Sequence, residues 1–162
     1  MKKAFGALVL GTMLLFCRET KLTPDEVGFR DISPVEAVEL IKAGKVLVLD
    51  VRTVDEYREG HITPSLLIPY DEVENRREEI SAYGLPILVY CRSGRRSAIA
   101  AEKLTNMGFR EVYNLVGGKE ALLSYLEEHP EYEGIWCTKG CPGVCGYGRP
   151  EGGCGCRGTI GR

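Results

Sequence analysis

Ile87-Leu88-Val89-Tyr90-Cys91-Arg92-Ser93-Gly94-Arg95-Arg96-Ser97 is an apolar run that ends at a single cysteine, crosses a short polar loop and enters an Ala-rich helical pattern. A strand that runs through a loop into a helix aims several backbone N–H groups, and the positive end of the helix dipole, at one point. A cysteine there is favoured as thiolate, because the N–H groups and neighbouring arginines stabilise the charged form. The stretch therefore reads as a nucleophile, Cys91, set in an anion cradle formed by Arg92, Ser93, Gly94, Arg95, Arg96 and Ser97. A lone cysteine is often a buried packing residue. Three arginines beside it argue against that role here.

The segments around this stretch alternate in the same way. Phe29–Ile32 reads as a short strand. Ser33-Pro34-Val35-Glu36 is a capping box with proline in the first turn, opening a helix whose apolar face is Ala37, Val35, Val38 and Ile41 and which Gly44 stops. Val46–Leu49 is a continuous apolar run of the kind buried on both faces of a sheet, and Asp50-Val51-Arg52 follows at its carboxyl end. Thr53–Glu59 reads as a short helix closed by Gly60. His61-Ile62 and Leu66–Ile68 together read as another short strand, and Asp71–Tyr83 as a polar helix. Arg95–Met107 reads as a helix packing through Ala98, Ile99, Ala101 and Leu104, Glu111–Leu115 as a strand, and Lys119–Glu128 as a last helix. Short buried strands alternating with helices predict an α/β domain with a mostly parallel sheet flanked by helices, with ligands bound beyond the carboxyl ends of the strands. Arg52 and Glu56, four apart, are spaced for an ion pair. His61 reads as a packed histidine, and Ser97 as a helix cap or a further hydrogen-bond donor to the site.

The order of these elements resembles the single-domain rhodanese (thiosulfate sulfurtransferase) family. The resemblance rests on Asp50-Val51-Arg52, Glu56-Tyr57, Gly60-His61-Ile62, Ile68-Pro69, the Val89–Ala98 stretch, Gly108-Phe109, Val112–Leu115 and Gly117-Gly118, and it spans about residues 28–130. Thr63-Pro64-Ser65-Leu66 departs from the family's usual Pro-Gly-Ala turn. The resemblance implies a three-layer fold and a persulfide mechanism: Cys91 takes the outer sulfur of a small anionic donor such as thiosulfate and passes it to a thiol or cyanide-like acceptor, a protein thiol included. No cofactor is required beyond the covalent persulfide. Asp50, Arg52, Glu56 and His61 are implied to be structural supports. Related phosphatases carry a loop one residue longer, with arginine six positions after the cysteine; here that position is Ser97 and the arginine is Arg96 at five, which favours sulfur over phosphate or arsenate. A non-catalytic binding module on the same fold is the other reading.

The termini differ from this core. The chain has 162 residues, 44% hydrophobic and 27% charged, with a net charge of −2, which gives no footprint for nucleic acid. Lys2 and Lys3 before the apolar run Ala4–Phe16 have the pattern of a signal peptide over residues 1–17. This implies export to a bacterial periplasm. Cys17 directly after that run resembles a lipoprotein signal, through which the protein would be anchored to the membrane facing the periplasm. A polar linker, 18–28, leads to the 29–130 domain. In the 131–162 tail, Gly and Pro disfavour regular structure and five cysteines dominate: Cys137, Cys141, Cys145, Cys154 and Cys156. Disulfides, zinc or another soft metal, and a flexible sulfur acceptor each fit them, as does a tail with no specific job.

Overall fold

The computed structural model describes residues 28–138 and 144–145. The 1–17 leader with Cys17, nearly all of the 18–28 linker, and Cys141, Cys154 and Cys156 lie outside the described residues.

The chain runs β1 (Arg30–Ile32), α1 (Pro34–Lys42), β2 (Leu47–Asp50), α2 (Val54–Glu59), β3 (His61–Ile62), β4 (Ser65–Leu67), α3 (Arg77–Ser81), β5 (Ile87–Tyr90), α4 (Arg95–Asn106), β6 (Val112–Leu115) and α5 (Gly118–Glu128). A 3-10 helix (Pro130–Ile135), β7 (Trp136–Cys137) and β8 (Val144–Cys145) follow. The main sheet has the order β1-β6-β5-β2-β4-β8. Its first five strands are parallel, and β8 adds antiparallel at the β4 edge.

Alternation along the strands feeds two cores. Leu47 and Leu49 of β2, with Ile87 and Val89 of β5, pack on one face with Ile80 of α3 and Ala100, Ala101 and Leu104 of α4. Val48, Leu88 and Tyr90 face the other side, against Ala37, Val38 and Ile41 of α1, Leu122 and Leu126 of α5, and Ile135. Both faces of the central strands are covered, which is why they read as unbroken apolar runs. This is the three-layer α/β architecture expected from the sequence.

Local chemistry sets the helix starts. Ser33 accepts from the Glu36 N–H while the Glu36 carboxylate accepts from the Ser33 N–H, and Thr53 with Glu56 repeats the motif at α2. Four expectations need correction. The 71–83 helix is confined to Arg77–Ser81, because residues 71–76 form turns and the first helical turn has no side-chain cap. His61-Ile62 and Ser65–Leu67 are not one strand; the Thr63–Pro64 peptide between them is cis, and β3 pairs antiparallel with β7 in a separate ribbon. Val35 of α1 and Ile99 of α4 point outward, while Ala100 of α4 turns inward beside Ala101 and Leu104. Residues just past 130 also pack on the domain, with Ile135 and Cys137 buried.

Candidate active site

Cys91 follows β5 directly, and its loop reaches α4 at Gly94, the N-cap residue. The Gly94 N–H donates to Cys91 Sγ at 3.2 Å, and the Ser97 hydroxyl lies 3.5 Å from the same sulfur. Burial pushes the thiol up; the Ser97 hydroxyl and the N–H groups of Ser97, Ser93 and Gly94 outweigh it and hold Cys91 below the ordinary thiol range. Cys91 is a free cysteine with 1% of its surface exposed. Ser97 is not the helix cap. It stands in the first turn, where its hydroxyl has two acceptors in reach, the Gly94 carbonyl at 3.0 Å and the Cys91 sulfur.

The N–H groups face inward because the loop's carbonyls are held from outside. Lys119 N–H donates to the Cys91 carbonyl at 2.8 Å, and Glu120 N–H to the Arg92 carbonyl at 3.1 Å. Two of the first orphan N–H groups of α5 are thus satisfied by the active loop itself.

Two of the three loop arginines are engaged with carboxylates. Arg96 makes a two-pronged pair with Glu56, at 2.7 and 2.8 Å. Arg92 Nε donates to Glu120 Oε1 at 2.8 Å. Arg95 is exposed and has no partner among the described residues. The expected Arg52–Glu56 pair therefore does not form. Arg52 turns inward to Asp50, with Nε 2.9 Å from Oδ1 and Nη2 2.6 Å from Oδ2, which frees Glu56 for Arg96. The Arg96 pair, with help from burial-opposing bonds to Thr53, lowers the Glu56 carboxyl to about 2.

Beneath the loop lies a buried polar knot. Arg52 also donates to the Gly60 carbonyl at 2.8 Å, and the Tyr90 hydroxyl donates to Asp50 and accepts from the Ile62 N–H at 3.1 Å. Burial pushes the Tyr90 phenol well up, so it stays protonated as a donor. The knot ties the carboxyl ends of β2 and β5 to β3. His61 is buried, stacked on Tyr57 with ring centroids 3.7 Å apart, and its Nδ1 lies 2.8 Å from the Tyr57 carbonyl. Burial lowers its pKa, and no hydrogen bond links it to Cys91, as expected for a packed histidine.

Sequence reasoning missed Glu120, the backbone of Lys119 and the Tyr90 phenol. Tyr90 carried a usable signal: a hydroxyl inside an aliphatic strand requires a buried partner. Glu120 carried none, since only the fold brings α5 beside the loop. Cys137 is disulfide-bonded, which corrects the metal-ligand reading for that residue, because a disulfide sulfur is no thiolate ligand. No group of three or more His, Cys, Asp or Glu side chains is arranged to hold a metal among the described residues.

The family model for the Rhodanese-like domain matches residues 33–124, more than half of the chain. The chain belongs to the rhodanese family. The thiosulfate sulfurtransferase GlpE of Coxiella burnetii is 36% identical over 102 residues, covering 63% of this chain and 92% of that protein. Among solved structures, a rhodanese-related protein from Thermoplasma volcanium is 30% identical with a TM-score of 0.54, covering 59% of this chain and 92% of its own. A protein from Rhodopseudomonas palustris described as a possible tyrosine phosphatase is 28% identical with a TM-score of 0.53, covering 60% of this chain and 81% of its own.

Proposed function

We propose that the protein is a sulfurtransferase that carries sulfane sulfur as a persulfide on Cys91. The observation that carries this reading is the Cys91 sulfur held by the Gly94 N–H and the Ser97 hydroxyl at the start of α4. The Cys91 thiolate attacks the outer sulfur of the donor. The donor's sulfur–sulfur bond breaks, its electron pair leaves with sulfite when the donor is thiosulfate, and a new bond forms to Sγ. The terminal sulfur of the persulfide is then attacked by cyanide or a thiolate, and the electron pair of the breaking bond returns to Cys91. Charge is conserved at each step, and no oxidant or reductant is needed. The loop N–H groups stabilise the thiolate before the reaction and the persulfide anion after it. The loop groups that lower the Cys91 thiol favour the ionised nucleophile without a dedicated general base, and His61, which has no hydrogen bond to Cys91, fits that division of labour. Membership of the family, and the GlpE relative, support sulfur transfer over the phosphatase alternative.

Intact mass of the full chain before and after thiosulfate tests this reading. Gain of one sulfur, lost on adding cyanide and absent in Cys91→Ser, is expected. Hydrolysis of p-nitrophenyl phosphate that depends on Cys91, with no sulfur gain, overturns it. The same spectrum reads the mature N-terminus and so tests the proposed export signal and lipidation of Cys17.

A further inference from the structure

His61 carries one polar atom that nothing in the fold uses. Its Nδ1 lies 2.8 Å from the Tyr57 carbonyl. A carbonyl only accepts, so Nδ1 holds the ring proton and Nε2 is left with a lone pair to offer. Nε2 is buried without a hydrogen-bond partner among the described residues, on a side chain that is fully buried. An unpaired buried acceptor is costly to keep, so any state of the protein that brings a donor to it is favoured.

Cys137 is placed to supply that donor. β3 and β7 pair antiparallel with His61 directly opposite Cys137, and residues opposite one another in such a pair share one face of the ribbon, with Cβ atoms about 5 Å apart. Cys137 is buried and disulfide-bonded, and its partner is not Cys91, which is free. A disulfide sulfur has no proton to give; a thiol has one. The oxidised form of Cys137 therefore leaves Nε2 unpaired, and the reduced form can satisfy it. The strap also has supports besides the cross-link: its pairing with β3, the Thr63 N–H donated to the Ile135 carbonyl at 2.8 Å, and the burial of Ile135.

We propose that Cys137 is a reversible thiol–disulfide site, and that His61 Nε2 accepts from the Cys137 thiol when the disulfide opens. The co-reactant is a dithiol. One of its sulfurs, as thiolate, attacks the partner sulfur, because the Cys137 sulfur is buried. The disulfide bond breaks, and its electron pair leaves on Cys137 Sγ, which takes up a proton and donates it toward Nε2. The second dithiol sulfur then displaces the partner thiol from the mixed disulfide. The dithiol is oxidised by two electrons, the protein disulfide is reduced by two, and the two dithiol protons end on the two protein thiols. Reduction releases the covalent tie and leaves β7 seated on β3.

The test equilibrates the full chain with mixtures of reduced and oxidised dithiothreitol, then alkylates it and maps the tryptic peptide 120–139, in which Cys137 is the single cysteine. The parent is compared with His61→Phe, which keeps an aromatic ring against Tyr57 and removes Nε2. The Nδ1 bond that this variant also loses is present in both redox states and cancels from the comparison. His61→Phe is expected to need about three- to tenfold more reduced dithiothreitol, relative to oxidised, for half of Cys137 to be thiol; an unchanged ratio overturns the inference. Trp136 is the single tryptophan of the chain, and its emission wavelength is expected to hold when the parent is reduced. A shift to the solvent-exposed wavelength on reduction makes the disulfide a plain staple and overturns the inference as well. A second arm leaves His61 intact. Cys137→Ser and Cys137→Ala both lack the disulfide, and only serine can donate to Nε2. Cys137→Ser is expected to melt above Cys137→Ala; the reverse order, which a hydroxyl buried without an acceptor would give, overturns the assignment of His61.

Discussion

The backbone N–H of Lys119 donates to the carbonyl oxygen of Cys91 at 2.8 Å, so the helix after β6 holds the loop after β5 in place. With the Glu120 N–H on the Arg92 carbonyl, this contact turns the acceptor side of two peptide groups away from the sulfur and the donor side of the following ones toward it. The anion cradle is thus built by two elements, although its side chains come from one continuous stretch.

Gly118 is the residue that allows this approach. Its φ is +55°, and a Cβ there would stand 2.5 Å from the Cys91 carbonyl and 2.8 Å from the Arg92 carbonyl carbon. Gly118→Ala combines left-handed strain with a backbone clash, so α5 must retreat from the loop. A loss of at least about 2 kcal/mol in urea unfolding is expected, with sulfur loading of Cys91 reduced more than tenfold, roughly the factor for about 1.4 kcal/mol at the transition state. An unchanged midpoint with full loading would show that the Cys91 loop does not depend on α5 here.

Ser97→Ala separates the thiolate's supports. Burial alone pushes the Cys91 thiol up, and the Ser97 hydroxyl is the leading group that brings it down. Removing the hydroxyl should move the pH profile of Cys91 alkylation toward higher pH and slow alkylation at neutral pH, with little change on the alkaline plateau, where the thiolate is fully formed either way. The folded-state value lies below the unfolded one, so the thiolate's interactions add stability that is present above the unfolded value and lost as pH falls through the folded one. Ser97→Ala should narrow that gain at alkaline pH. An alkylation profile superimposable on the parent would assign the lowering to the backbone alone.

Glu56→Gln isolates the ion pair from the helix cap. Glutamine still accepts from the Thr53 N–H, so α2 keeps its start. What goes is the two-pronged pair with Arg96, a half-buried contact worth about 1 kcal/mol at neutral pH. The carboxyl is lowered to about 2 in the folded chain, chiefly by Arg96. A lowered carboxyl stabilises the fold above its unfolded value and loses that contribution as pH falls through the folded one. The stability difference between the parent and Glu56→Gln should therefore be constant from neutrality to about pH 4.5 and disappear near pH 2. Urea titrations across that range measure it; a difference that persists at pH 2 would point to packing instead of charge.

These residues also mark where sequence reading ends. The β5–loop–α4 unit, the capping box at Ser33, and the position of Cys91 are local features, written in adjacent residues. The partner of each loop arginine is different in kind. Arg52 and Glu56 have a helical spacing that suits a pair, yet Arg52 precedes α2 and is drawn inward by Asp50, two residues back in β2. Glu56 meets Arg96 across 40 positions, and Glu120 meets Arg92 across 28. Such pairings are set by sheet order, so the charge at the mouth could not be counted from the arginines alone. The cover that follows α5 carried only a weak local signal: residues 130–137 hold the apolar Tyr132, Ile135 and Trp136 but no periodic pattern, and what buries Ile135 and Cys137 is the pairing of β7 with β3.

That cover supplies the last prediction. β7 pairs with β3, setting Cys137 opposite His61 and Trp136 opposite Ile62. The Trp136 ring lies 5.7 Å from the Arg52 guanidinium carbon, and a Cβ on Gly60 would stand 2.8 Å from the indole nitrogen, so the ring presses on the turn whose carbonyl Arg52 holds. The Asp50–Arg52–Tyr90 knot is dry partly because the indole covers it, and a buried ion pair that admits water loses most of what its geometry contributes. Trp136→Ala removes half-buried aromatic surface and a cation–π contact, and should cost about 2–3 kcal/mol. Trp136→Phe, which keeps most of the apolar cover, should recover more than half of that. A chain ending at His129 loses the 3-10 helix, β7 and β8 together and should be less stable than Trp136→Ala. The order of denaturation midpoints, parent above Phe above Ala above the shortened chain, checks the assignment. A shortened chain as stable as the parent would mean that the domain is complete at the end of α5 and that the strap contributes no stability.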